Sequence, residues 1–253
     1  MRFPRPARSL AAALALVAAA CSDSPTSPTT SLALDEVFEQ MSLSALAPAG
    51  SGIAAAGMPL PGLSPVPSAC SYIASVQSFV CAPVTTNGVT ITRGYTLFSA
   101  SGTPQSAFDP SATASVRTTT GVVGRMTVQT AVTDLDAQQT MTLSGLLTSR
   151  HVLDGLQVTK MTMTSPEFGT VRLNATTTFA GLVMPERGGR YPKSGSVSTA
   201  ITSDMAGMGA FTMTMTFNGT SKVDVTISSG GRTERCTIDL AATGPAGSTC
   251  FGG

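Results

Sequence analysis

From Phe211 to Ile227 the side chains alternate with period two, and this pattern limits the possible folds more than any other feature of the chain. Phe211, Met213, Met215 and Phe217 fall on one parity and Thr212, Thr214 and Thr216 on the other. After Asn218-Gly219, Val223, Val225 and Ile227 resume the apolar side. Successive side chains of an extended strand point to opposite faces, so this stretch predicts a hairpin with one buried face. The same phase runs through Val89, Ile91 and Leu97 after Asn87-Gly88, and through Val122, Met126 and Val128. It recurs in Met141, Leu143 and Leu147, and in Val171, Leu173, Phe179 and Val183. Between Leu156 and Thr164 it slips, because Leu156 and Val158 are even-numbered while Met161 and Met163 are odd; a bulge or apolar cover on both faces would explain this.

Runs of this kind number about nine or ten between residues 70 and 241, with no helical pattern long enough for parallel crossovers. The expected fold is therefore all-β, an antiparallel meander. A meander of that width must curl or close, which leaves a barrel, a half-barrel or a two-layer sandwich. Composition agrees: 37 of 253 residues are threonine, a β-branched residue suited to the solvated side of a sheet, and only 11% are charged.

The chain before the sheet is organised differently. Leu34, Phe38, Met41 and Ala45 share one helical face within residues 31–47, with Asp35 and Glu36 in the first turn and Pro48 and Gly50 after it, which predicts one short amphipathic helix. Residues 48–68 carry five prolines and four glycines and read as a linker. The β domain is expected over 69–253.

The start of the chain has the three parts of an export signal. Arg2, Arg5 and Arg8 precede an apolar run from Leu10 to Ala20. That run is shorter than the roughly 20 residues needed to span a bilayer. It ends Val17-Ala18-Ala19-Ala20-Cys21, which resembles the lipobox of bacterial type II signal peptides, with Ala18 where leucine is usual. The resemblance covers about 25 residues. It implies cleavage after residue 20, a diacylated Cys21, and a membrane anchor through that lipid. Residues 21–30 would then be the lipidated cysteine and a Ser/Thr/Pro spacer. Under the familiar sorting rule, Ser22 directs such a protein to the outer membrane. The alternative is ordinary cleavage at Ala18-Ala19-Ala20, with Cys21 left as a free thiol.

Four further cysteines suit an oxidising compartment. Of three possible pairings, Cys70 with Cys81 and Cys236 with Cys250 is favoured, because a turn at Ser75-Val76 pairs Tyr72 with Phe79 and sets Cys70 opposite Cys81. A bridge between the first and last strands of a closed barrel is the competing arrangement. No C-x-x-C spacing points to zinc or thioredoxin-like chemistry.

Removing the signal leaves twelve basic against fourteen acidic side chains, with no clustered basic face for a phosphate backbone, so nucleic acid is not an expected partner. Catalytic candidates are few. His151, the only histidine, lies near Ser149 and Asp154, but no G-x-S-x-G elbow accompanies it, and the Asp154-Gly155 pair reads as a turn. Asp134 and Asp136 flank Leu135 and read as a hairpin tip. Met161, Met163, Met213 and Met215, with Met205 and Met208, raise the idea of a Cu(I) site, and their strand spacing equally makes them core residues. The loop 186–193, with Arg187, Arg190 and Lys193, reads as a solvated tip or an anion contact.

The sequence thus predicts no catalytic residues, no metal and no cofactor. It predicts a non-catalytic, lipid-anchored envelope protein that binds an apolar ligand or an envelope protein. The alternatives are a lipid or lipoprotein carrier on an open curved sheet and an unrecognised hydrolase. Intact-mass measurement of the mature protein is expected to show a chain starting at Cys21 with diacylglycerol attached; a bare thiol there refutes the anchor.

Overall fold

The computed structural model describes residues 66–86, 88–128, 131–166, 169–185, 191–204, 209–241 and 248–252. Cys21, the expected signal peptide, spacer and helix, and nearly all of the expected linker lie outside the described residues. So do residues 186–190 of the basic loop.

The described residues form fourteen strands and no helix. These are β1 (Cys70–Ile73), β2 (Ser78–Cys81), β3 (Val84–Thr86), β4 (Val89–Ser99), β5 (Pro104–Gln105), β6 (Thr113–Val128) and β7 (Ala131–Ser144). They continue as β8 (Val152–Ser165), β9 (Gly169–Val183), β10 (Ser194–Ser203), β11 (Phe211–Phe217), β12 (Lys222–Ser229), β13 (Arg232–Asp239) and β14 (Ser248–Gly252). The count exceeds the expected nine or ten partly because β3 and β5 span three and two residues, too few for alternation to be legible, and because β14 lies past residue 241, where the expected strands end.

All fourteen belong to one sheet in the order β1-β2-β4-β6-β7-β8-β9-β10-β11-β12-β13-β14, with β3 and β5 each paired to β4. Every pairing is antiparallel. β1 and β14 are the ends of this order and do not pair with each other, so the ladder is open. Among the described residues, hydrogen bonds therefore do not close a barrel.

Each hairpin keeps side chains of one parity on one face. Met215 stands between Val197 and Val225, and Val225 stands opposite Cys236. Val197 opposes Phe179, which opposes Gly155. The resulting apolar face includes Leu97, Leu153, Met215, Val197, Val223 and Val225, all essentially without solvent exposure. The other face carries hydroxyls, among them Ser198 bonded to Thr214 at 3.0 Å and Ser228 bonded to Thr233 at 3.1 Å.

The hairpins read from the sequence at both ends are present. Tyr72 faces Phe79, with ring centroids 5.2 Å apart, and the Cys70–Cys81 disulfide forms beside them. Cys236 is also disulfide-bonded, and its register partner is Cys250. β11 and β12 pair Met213 with Ile227 across the turn containing Gly219, whose φ of 85° lies in the left-handed region.

Two expectations need correction. β8 pairs without a shift from Gly155 to Ser165, so the phase slip at Leu156 and Val158 is not a bulge. Both residues sit on the hydroxyl face, where Leu156 is 46% exposed, while Gly155, Gln157 and Thr159 take the apolar-face positions. The extra residue is in β9: between Phe179 and Leu182 that strand has one more residue than β8 has between Leu153 and Gly155. Gly181 accommodates it at φ 57°, and the Asp154 carboxylate accepts the Gly181 N–H at 2.7 Å. Finally, Leu147 is exposed in the turn after β7 rather than part of a strand.

Gly155 sits where Met141 needs room, and a Cβ there would meet the Met141 sulfur and the Thr140 carbonyl oxygen. Gly155→Val is expected to destabilise by about 1–3 kcal/mol through overpacking. Urea denaturation checks this, and an unchanged midpoint would contradict the tight β7–β8 contact.

Candidate functional site

Because the register holds without a shift from the Phe179 rung to the Thr133 rung, residues from successive strands line up as rungs across that part of the apolar face. One rung is fully apolar where it crosses the centre of the sheet: Phe179, Val197, Met215 and Val225. The neighbouring rung is polar. It runs Arg93 on β4, Thr120 on β6, Gln139 on β7, Gln157 on β8, Thr177 on β9 and Thr199 on β10. Gln139 Nε2 donates to Gln157 Oε1 at 3.1 Å, and Gln157 Nε2 donates to Thr159 Oγ1 at 3.2 Å. Thr177 and Thr199 bond each other at 3.0 Å, buried.

Solvent access changes along this rung. Thr177 and Thr199 are buried, Thr120, Gln139 and Gln157 are half-buried, and Arg93 is exposed. The next two rungs, mostly apolar, stay accessible over their middle strands. Ile91, Val122, Ala137, Thr159, Ala175 and Ile201 are half-buried on one, and Leu135, Met161 and Leu173 on the other, while Phe211 at the end of the first and Val89 at the end of the second are buried. The apolar face therefore has a sealed part at the Phe179–Met215 rung and a water-accessible tract beyond the polar rung.

Beyond that tract Thr133 pairs with Met126 and Met163. It is 1% exposed, and its hydroxyl has no hydrogen-bond partner among the described residues. An unmet buried hydroxyl is costly.

The sequence candidates for catalysis fall elsewhere. Asp154 lies within β8 rather than in a turn, on the hydroxyl face, with its carboxylate engaged by the β9 bulge. Ser149 is in the exposed turn before it. His151 is half-buried and accepts the Met184 N–H through its backbone carbonyl at 2.9 Å. Asp134 and Asp136 lie inside β7, not at a hairpin tip, because β6 and β7 extend to Val128 and Ala131 before turning. Asp134 takes both Arg125 nitrogens, Nε at 2.6 Å and Nη2 at 2.9 Å; those bonds hold its carboxyl below the ordinary range. Asp109 and Asp239 are lowered by side-chain hydrogen bonds from Ser111 and Ser221, respectively, and by nearby backbone N–H groups. Asp109 lies before β6 and Asp239 at the end of β13, so these lowered carboxyls serve local structure rather than the accessible tract.

The methionine pairs are not brought together. Met161 and Met163 are on β8 and Met213 and Met215 on β11, three strand spacings or about 14 Å along the sheet. Met213 and Met215 are 2% and 0% exposed, as core residues are. Among the described residues no three His, Cys, Asp or Glu side chains group as a metal site. Of the basic loop, Tyr191, Pro192 and Lys193 are described, and the Pro192 carbonyl accepts the Gly219 N–H at 3.0 Å.

The polar rung was not singled out from the sequence, though its signal is there. Arg93 shares parity with Ile91, Tyr95 and Leu97, Gln139 with Met141 and Leu143, and Gln157 with Met161 and Met163. A polar residue in the apolar phase of β4, β7 and β8, with Thr120 of β6 between the first two, is the mark to look for. Comparisons with known proteins gave no matching family model, no matching curated protein and no matching solved structure.

Thr133→Val removes the unsatisfied hydroxyl at nearly constant volume. It is expected to raise stability by about 1 kcal/mol, read as a higher thermal midpoint; a lower midpoint would mean that the hydroxyl has a partner after all.

Proposed function

We propose that this protein is a lipid-anchored envelope lipoprotein, held at the outer membrane through Cys21, whose sheet binds an apolar ligand without catalysis. In this reading the open ladder is a half-barrel, and the ligand lies on its accessible apolar tract. The observation that carries the reading is the contrast within one face: residues such as Leu97 and Met215 are sealed, while Ile91, Val122, Leu135, Met161 and Leu173 stay half-buried. A continuous apolar surface left accessible to water is a binding surface by default.

The hydroxyl face supports the same assignment by contrast. On the long central strands its threonines are suited to water, and the exposed apolar residues there, Val123 on β6 and Leu156 on β8, are separated by β7. The carboxylates with lowered pKa on that face or in turns have structural partners, which favours binding over hydrolysis.

Saturable binding of a fluorescent amphiphile to the full chain is expected. Leu135→Arg or Met161→Arg should weaken it at least about tenfold, since a charge in an apolar contact is poorly tolerated. Val123→Arg, on the opposite face of β6, should leave it unchanged. Equal losses from both faces, or no saturable binding, would defeat the proposal.

A further inference from the structure

We infer that the ligand is a single-chain amphiphile with one negative charge, a long-chain fatty acid in the simplest case, and that Arg93 receives its carboxylate. This rests on the binding reading above and adds the chemistry and direction of the ligand.

Parity and register place three charged side chains on the apolar face: Arg93 on β4, and Arg232 and Glu234 on β13. Arg232 and Glu234 are two residues apart on one strand and carry opposite charge. Arg93 has no acid in its own part of the face. Its same-face neighbours on β4 are Ile91 and Tyr95, and its partner on β6 is Thr120. The described residues provide it with no hydrogen bond and no ion pair; the two ion pairs among them are Arg125–Asp134 and Arg172–Asp204, both formed by residues of the hydroxyl face or its turns. A guanidinium beside an apolar tract, with no acid paired to it among the described residues, is complementary to a carboxylate, which it can bind through two parallel hydrogen bonds.

The neighbours fit the same head. Thr120 supplies a hydroxyl next to Arg93, and Gln139 stands one strand further along the rung. These groups are neutral, so the site offers one positive charge and matches one negative charge.

The rungs also set the direction and length of the tail. From Gln139 along β7, the apolar-face positions are Ala137, Leu135 and then Thr133. Six residues of strand cover about 20 Å. A bilayer's hydrocarbon half-thickness, roughly one acyl chain, is about 15 Å. One chain therefore fits lengthwise between the polar rung and Thr133, over Ala137, Leu135, Thr159 and Met161. On the other side of the polar rung, Phe179 and Met215 are sealed, so the tail has only one way to run.

The test is competition on the full chain, with palmitate and hexadecanol each displacing a fluorescent fatty acid. The two competitors share a tail and differ in charge. Palmitate is expected to compete at about tenfold lower concentration than hexadecanol, the gain of one charge-assisted pair. Arg93→Gln should abolish that preference by weakening palmitate far more than hexadecanol, and Arg93→Lys should keep part of it. Arg93 is exposed, so neither variant should affect folding. If palmitate and hexadecanol compete equally, or if Arg93→Gln keeps the preference, the headgroup assignment is wrong and the apolar reading stands. If the protein binds no amphiphile at all, both fall together.

Discussion

The backbone ladder from β4 to β13 turns parity in the sequence into position on a face. A slip of one residue in any hairpin would move that strand's apolar set to the hydroxyl side. β6, β7, β8 and β9 are 14 to 16 residues long, so each commits six or seven side chains to the apolar face at once. Long strands make register errors expensive, because every misplaced apolar side chain would meet water together. The single irregularity that β8 and β10 share is the extra residue of β9, and it has its own fixings: a glycine for the left-handed backbone and the Asp154 carboxylate for the exposed N–H. Beyond the bulge Leu182, Val183 and Met184 are all buried in succession, which strict alternation would forbid.

An open sheet has two edges, and edges invite pairing with other chains. Here both end hairpins involve disulfide-bonded cysteines. Cys70 and Cys81 join β1 to β2, and Cys236 on β13 stands opposite Cys250 on β14. β1 and β14 are also short, four and five residues. A covalent link across eleven residues of chain contributes about 3 kcal/mol in the chain-entropy model. Its placement matters as much as its size, because a two-stranded hairpin at the end of a sheet has a neighbour on one side only and would otherwise fray. The stapled edges let the ladder remain open without depending on closure.

Fold class was legible because period two survives wherever strands are long. Tyr72 opposite Phe79, Cys70 opposite Cys81 and Met213 opposite Ile227 were all readable from turn position and parity. What could not be read was how the ladder ends, since pairing between β1 and β14 depends on curvature accumulated over the whole sheet rather than on any local pattern. Short strands such as β3 and β5 were invisible for a different reason: three or two residues hold no period. Asp134 and Asp136 were misplaced because carboxylates are rare in strands. A cross-strand Arg125 makes Asp134 acceptable there, and the sequence alone does not reveal the pairing.

The polar rung shows how the same reasoning misses the proposed site. Arg93, Gln139 and Gln157 each interrupt an apolar phase, and in isolation each reads as a local defect to be explained by a bulge or by weak patterning. Register changes their meaning, because residues far apart in sequence fall on one line across adjacent strands: Arg93 opposes Thr120, Thr120 opposes Gln139, and Gln139 opposes Gln157. Three independent defects would scatter over different rungs. Their coincidence on one rung, at the boundary between the sealed and the accessible parts of the face, is better explained by a common demand. An exposed guanidinium is satisfied by water on any surface, but beside an accessible apolar tract it also supplies the two kinds of surface that the proposed ligand, with a charged head and an apolar tail, requires side by side.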